Sequence, residues 1–409
     1  MYLIFKKGKD KVKKKLLFVT QYLHTGGIEK SLLTLLSELD YRRYEVDLLL
    51  FDHSGVLFKM IPQQVNVLPP LFDTFSTSLA QAAPELIKAR KYRLLVGKLL
   101  AAGFARLTPG IGTGARWEVY RRVLPQQPKQ YDVAISYIDF FCNYYVAEKV
   151  KAGRKIVYNH MDYAYSQKQG WPCPRLERKS FSASDYIVTV AETSKKSLQT
   201  YFPEFLNKME VIHNRVSPTT VCSMANDLQG VTEIQQGKTI NIVTVARLVD
   251  EKGVFFALRA CKELVNQGFD ISWFLIGQGP LYQDLKEMTV EMGIEDYFRL
   301  LGEKDNPYPY MSLCDIYVQP SKTEAHCVAV EEAIALHKPI VVTDIPSFKE
   351  QIRDGNTGLI VNTSAQGIAE GIKRLVQSKD LKNHLITNLQ TSSPGHQEQI
   401  TKFYRLIEA

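Results

Sequence analysis

Short apolar runs of strand length alternate with stretches of helical period along this chain; the alternation breaks once and then starts again. No other feature constrains the fold as much. Strands separated by helical crossovers pair in parallel, and a parallel sheet needs helices on both faces to bury it. In the first half the strand-like runs are KLLFVT (15–20), EVDLLL (45–50), DVAISY (132–137), KIVYNH (155–160), YIVTV (186–190) and MEVIH (209–213). Between the first two, residues 28–39 place Ile28, Leu32, Leu35, Leu36 and Leu39 on one helical face. A polar, weakly periodic stretch at 214–238 interrupts the pattern. It resumes with TINIVTVA (239–246), ISWFLIG (271–277), FRLLG (298–302), DIYVQP (315–320) and PIVVTD (339–344), with helices expected at 253–267, 281–292 and 328–336.

At 409 residues the chain exceeds the size at which one core stops growing. Two doubly wound, Rossmann-like α/β domains are therefore expected, spanning 1–215 and 216–394, with a terminal helix at 395–409 crossing back to the first. Ligands of such sheets bind beyond the carboxyl ends of the strands, so two facing domains create a cleft.

Composition narrows the function. With 45% hydrophobic and 23% charged residues the chain is neither disordered nor fibrous. Its six cysteines form no C-x-x-C pair and no secretory signal is read, which points to a reducing cytoplasm. The weakly polar run at 94–105 is too short to span a bilayer and contains Lys98. Charge is uneven: residues 1–220 carry 33 Lys+Arg against 19 Asp+Glu, the remainder 18 against 24. The basic half suits an anionic surface or phosphorylated substrate, and without a binding motif nucleic acid is not expected. No D-x-D, H-x-x-x-H or cysteine cluster is present, so neither metal nor cofactor is expected.

The candidate chemistry lies late in the chain. Glu324 follows a strand and Glu332 stands eight residues on, in the next helix. Between them SKTEAHC (321–327) leads into a helix start at Val328, where free N–H groups and the helix dipole favour a phosphate. Carboxylates beside a phosphate need hydroxyl partners, and a sugar nucleotide supplies both groups. Arg247 and Lys252 follow strand 239–246 at the same sheet edge, as cations for a leaving diphosphate. Gly277 and Gly279 permit a close backbone approach after the next strand.

These elements, VARLVDEKG, IGQGP and LGEKDNPYPYMSLCDIYVQPSKTEAHCVAVEEAIALHKPIVVTDIPSFKEQIRDGNTGLIV, resemble in order and spacing the donor domain of retaining, GT-B-fold glycosyltransferases of glycosyltransferase family 4. The resemblance covers about half the chain. It implies that Glu324 contacts the donor sugar hydroxyls, Glu332 the nucleotide ribose, and Arg247 and Lys252 the diphosphate, with Ser321 a lesser contact. Ala325, His326, Cys327 and Val328 complete the donor loop. In the first half HTGGIEKS resembles the family's Gly-Gly-x-Glu opening, with Gly26 and Gly27 near the reaction centre, and His160 in YNHMD matches a histidine near the anomeric carbon. Ala325, His326 and Cys327 depart from the usual Gly-Phe-Gly, and Asn214-Arg215 from Asn-Gly.

The implied activity is metal-independent transfer, with retention, from a nucleotide-diphosphate sugar, UDP-sugar favoured, to a cell-envelope or polysaccharide acceptor, lipid-linked or not. A protein acceptor, or a catalytically silent glycan-binding or chaperone partner, are the alternatives. Residues 69–130 are least family-like. There Lys88, Arg90, Lys91, Arg93, Lys98 and Arg106 interleave with Leu94, Leu95, Leu99 and Phe104, and the opening fifteen residues hold seven lysines. Both segments are candidates for peripheral contact with an anionic membrane on its cytoplasmic face.

Overall fold

The computed structural model describes residues 12–104, 109–234, 237, 239–391 and 396–409. The first sheet contains β1 (Lys14–Thr20), β2 (Tyr44–Leu50), β3 (Asn66–Val67), β4 (Gln130–Ser136), β5 (Lys151–Asn159), β6 (Tyr186–Thr189) and β7 (Met209–Val211). They lie in the order β3-β2-β1-β4-β5-β6-β7. The second contains β8 (Ile240–Val245), β9 (Ile271–Ile276), β10 (Phe298–Gly302), β11 (Ile316–Gln319), β12 (Ile340–Thr343) and β13 (Leu359–Val361), ordered β10-β9-β8-β11-β12-β13. The strand pairs are parallel. Two doubly wound Rossmann-like domains result, as the alternating pattern requires.

Each central strand feeds two layers because successive side chains point to opposite faces. On β1, Leu16 and Phe18 enter one core with Leu32, Leu35 and Leu36. Leu17 and Val19 enter the other, around Trp117, Tyr144 and Tyr145. The terminal helix His396–Glu408 packs on the first core through Ile400, Phe403, Leu406 and Ile407. On β8, Ile242 joins Val254, Leu258 and Ile372 on one face, and Val243 joins Val330, Ala333 and Tyr310 on the other. After β7 the chain passes into helix Pro218–Ala225, whose Val221 and Ala225 belong to the second domain's core.

In each sheet the strand order reverses direction beside the first strand of its domain, between β1 and β4 and between β8 and β11. At such a switch point adjacent crossovers leave on opposite faces, opening a crevice at the strand ends. The segments following β8 and β11 carry Arg247, Lys252, Ser321 and Glu324. Those following β1 and β5 carry Gly26, Gly27 and His160.

The basic segment over the first sheet is not disposed as its sequence implies. In helix Tyr92–Phe104, Lys98 is only 7% exposed, and its ammonium donates to the Thr74 carbonyl and lies 5.4 Å from the Phe72 ring centroid. Leu94 and Leu95 pack against the Trp117 core. Lys98 is therefore turned away from any lipid surface, and Leu94 and Leu95 are half-buried. The exposed apolar residues are Ile87, Tyr92, Val96, Leu99, Leu100 and Phe104. Lys91 pairs with Asp73, and Lys88 and Arg90 are exposed. Arg106 and the lysines at 6, 7, 9 and 11 lie outside the described residues, while Lys14 donates to the carbonyl of Ile407. No helix among the described residues is long and apolar enough to cross a membrane.

Candidate active site

The site begins with Glu324. The chain leaves β11 through Pro320 and Ser321, whose fully buried hydroxyl donates to Glu324 Oε1 at 2.8 Å and accepts from Gln319 Nε2 at 3.0 Å. Lys252, from the turn after β8, donates to both Glu324 oxygens at 2.7 Å. Burial alone would lower the Lys252 pKa, but the Glu324 charge overrides it and the net shift is upward. Thus the sugar-contact and diphosphate-contact candidates form one charge-assisted unit, and Ser321 positions Glu324 from behind.

Arg247 is the exposed cation of the group, with Glu251 at 3.7 Å and its side chain 72% exposed. Its charge reaches Glu29 and Tyr22 of the first domain. Gly277 has φ +146°, and a Cβ there would meet the Ala246 carbonyl at 1.9 Å, so this turn presses backbone against the exit of β8 as only glycine can. Gly279 lies against the Leu248 carbonyl in the same way.

The donor loop faces the other domain. The ideal Cβ position of Gly27 lies 2.9 Å from Val328 Cβ, so the missing side chain lets helix Gly27–Ser37 approach helix Val328–Ala335. Ala325 packs on the first domain's core. The His326 ring stacks on His213, at the exit of β7, with centroids 5.2 Å apart. Its Nε2 lies 3.4 Å from Glu331. Cys327 is buried, and burial followed by the Glu324 charge pushes its thiol well above the ordinary range. Its N–H donates to Gln351 Oε1 at 3.0 Å. Side chains 325–328 thus join the domains and fill core.

His160 closes β5 beneath this loop. Its N–H donates to Asp139, and its ring stacks on Tyr158 at 5.4 Å. Burial pushes its pKa down to about 3, with Asn214 opposing and His326 adding to the shift. The ring is therefore neutral at physiological pH, able to serve as donor or acceptor but not as a cation.

Glu332 lies one helical turn inside its helix. Its Oε1 accepts from Lys30 Nζ and from the Tyr308 hydroxyl, each at 2.8 Å. A cavity of about 160 Å³ beside it is lined by Lys30, Thr34, Arg215, Ser217, Asp305 and Tyr308 among others.

Four functional candidates escaped sequence reasoning. Two are Lys30 and Tyr308, the partners of Glu332. Asp139, whose pKa burial raises to about 7, holds the His160 backbone. Glu29, also raised to about 7 by burial against the partial opposition of its own N–H and Arg247, lies over Gly26, whose Cβ position is 2.1 Å from its Oε2. The Gly-Gly-x-Glu spacing was the available signal for Glu29.

Two facing Rossmann-like domains with charged groups gathered at the strand ends define the GT-B fold class. Anabaena Alr3699/HepE, solved in complex with UDP and glucose, shares the architecture at TM-score 0.68 and 16% identity, over 97% of this chain and 100% of that one. Residues 231–391, essentially the second domain, match the family model of glycosyl transferases group 1. Alpha-D-kanosaminyltransferase of Streptomyces kanamyceticus is 28% identical over 150 residues, 36% of this chain and 39% of that protein. The amylovoran biosynthesis glycosyltransferase AmsK of Erwinia amylovora is 32% identical over 149 residues, 34% and 37%. These two alignments thus span about two-fifths of the relatives' own length.

Proposed function

We propose that the protein is a retaining glycosyltransferase that moves a sugar from a nucleotide-diphosphate sugar, UDP-sugar favoured, to a polysaccharide or lipid-linked acceptor at the cytoplasmic face of a membrane. The observation that carries the reading is the Ser321–Glu324–Lys252 unit, set at the second sheet's switch point and followed by a loop that packs against Gly27 and the first domain's core. The group 1 match over the same domain supports it.

Glu324 orients the donor sugar hydroxyls, as a charged acceptor held by Lys252 and Ser321. Because Lys252 engages both of its oxygens, it is poorly suited to attack carbon, which favours a front-face reaction over a covalent intermediate. The acceptor hydroxyl adds to C1 on the face the diphosphate leaves. The C1–O bond to phosphate breaks, and the departing phosphate oxygen takes the hydroxyl proton. Lys252, with one N–H beyond its two contacts to Glu324, and Arg247 stabilise the negative charge growing there, the role a metal plays elsewhere. Neutral His160 holds a sugar hydroxyl near C1.

Purified protein screened against a panel of UDP-, GDP- and ADP-sugars should release nucleotide from one, insensitively to EDTA. Proton NMR of the product should show the donor's anomeric configuration. Glu324→Gln should lose at least ~100-fold in rate, at the scale of one electrostatic contact made at the reacting centre. An inverted product, or wild-type turnover by Glu324→Gln, refutes the mechanism.

A further inference from the structure

Glu332 is held by two side chains, one from each domain. Its carboxylate is 98% buried at the side-chain level, and Lys30 of the first domain, 18% exposed, reaches it across the interface. Tyr308 donates to the same oxygen, and the Lys30 ammonium sits 4.8 Å from the Tyr308 ring centroid. The three groups form one cluster. Burial and the Glu332 charge raise the Tyr308 pKa far beyond the accessible range, so its hydroxyl remains a donor.

An ionised carboxylate offers about four lone-pair sites. Lys30 and Tyr308 occupy Oε1, and no hydrogen bond among the described residues falls on Oε2. Fixing one oxygen from two directions leaves the other with a set orientation beside the interdomain cavity. A hydroxyl donor seated there meets an acceptor whose rotation is already restricted.

On the donor-site reading above, we propose that Lys30 and Tyr308 are positioning residues that aim Glu332 Oε2 at the ribose hydroxyls of the nucleotide. Ribose recognition is then completed by the first domain, and docking of the two domains is coupled to recognition of the donor's ribose. Lys30 belongs to helix Gly27–Ser37, which approaches the Glu332 helix because Gly27 lacks a side chain. The same glycine that brings the helices together sets the reach of the lysine.

The test is calorimetric binding of ribonucleoside diphosphates and their 2′-deoxy counterparts, UDP, GDP and ADP each with its deoxy pair, to the full chain. Wild type should bind one ribonucleotide about ten-fold or more tighter than its deoxy form, as expected for a hydrogen bond to a charged group. Lys30→Met and Tyr308→Phe should each shrink that ratio several-fold, mainly by weakening the ribonucleotide, and Lys30→Arg should restore part of it. Glu350→Gln weakens the domain contact elsewhere, since Glu350 accepts from the N–H groups of Glu192 and Thr193. It should leave the ratio unchanged. Preserved ratios in Lys30→Met and Tyr308→Phe, or equal loss of both nucleotides, overturn the positioning role while the donor reading stands. Absence of binding to every diphosphate by wild type overturns the donor reading and this inference together.

Discussion

Lys252→Met tests whether the site's central ion pair also holds the second domain together. The substitution keeps most of the stem's volume and removes the ammonium from a carboxylate only 8% exposed. Breaking a buried pair by deleting one partner costs roughly 3–5 kcal/mol, because the remaining charge stays in place without compensation. Lys252 is itself 19% exposed and Ser321 still donates to Glu324, so about 2–3 kcal/mol is the appropriate scale. For a domain of this size that corresponds to a fall in Tm of roughly 4–12 °C. The double variant Lys252→Met, Glu324→Gln removes both charges and should recover at least about 1 kcal/mol, the signature of coupling between neighbours. Urea titration followed by tryptophan fluorescence in a Trp117→Phe, Trp171→Phe background reads the second domain, since Trp273 lies fully buried on β9. The Lys252 pKa is raised on folding, so this stabilisation is present below the lysine's unfolded value and is lost as pH rises through the folded one. Additive single-variant effects, or an unchanged Tm in Lys252→Met, would refute the reasoning.

Gly277→Ala forces a Cβ into the Ala246 carbonyl at positive φ, and should destabilise the second domain by more than about 1 kcal/mol, measured in the same titration. Glu29 has a carboxyl raised to about 7, so its contribution is fully present at acid pH and is lost as pH rises from the unfolded value through about 7. Glu29→Gln should therefore gain stability relative to wild type between pH 5 and 8; a constant difference in Tm would contradict the buried carboxyl. Lys88, Arg90 and Arg93 replaced together by Ser should weaken sedimentation with anionic vesicles, by about 1 kcal/mol for each cation that meets the headgroups, with salt weakening wild type likewise. Equal sedimentation would remove the exposed Ile87–Phe104 face as a membrane contact.

The order of strands and helices was legible in the chain because side-chain periodicity is local. The runs at 15–20, 45–50 and 271–277 became β1, β2 and β9 with ends shifted by about one residue. The two-residue β3 is too short to carry a period. The positions of Arg247, Gly277 and His160 at strand ends, and of Lys252 and Glu324 in the loops that follow, were legible, since strand ends define the crevice of a doubly wound sheet. What each side chain touches was decided by tertiary packing. Lys98 looked like a headgroup cation until the Thr74 turn folded over its ammonium. His326 was legible as a loop residue, but the stacking of its ring on His213 was not. Lys30 and Glu332 lie 302 residues apart, on helices of different domains, so their contact exists only once both domains have folded and docked. Local periodicity decides which face of a helix turns inward; the partner that waits there is set by chain topology, which brings residues from distant parts of the sequence to one place.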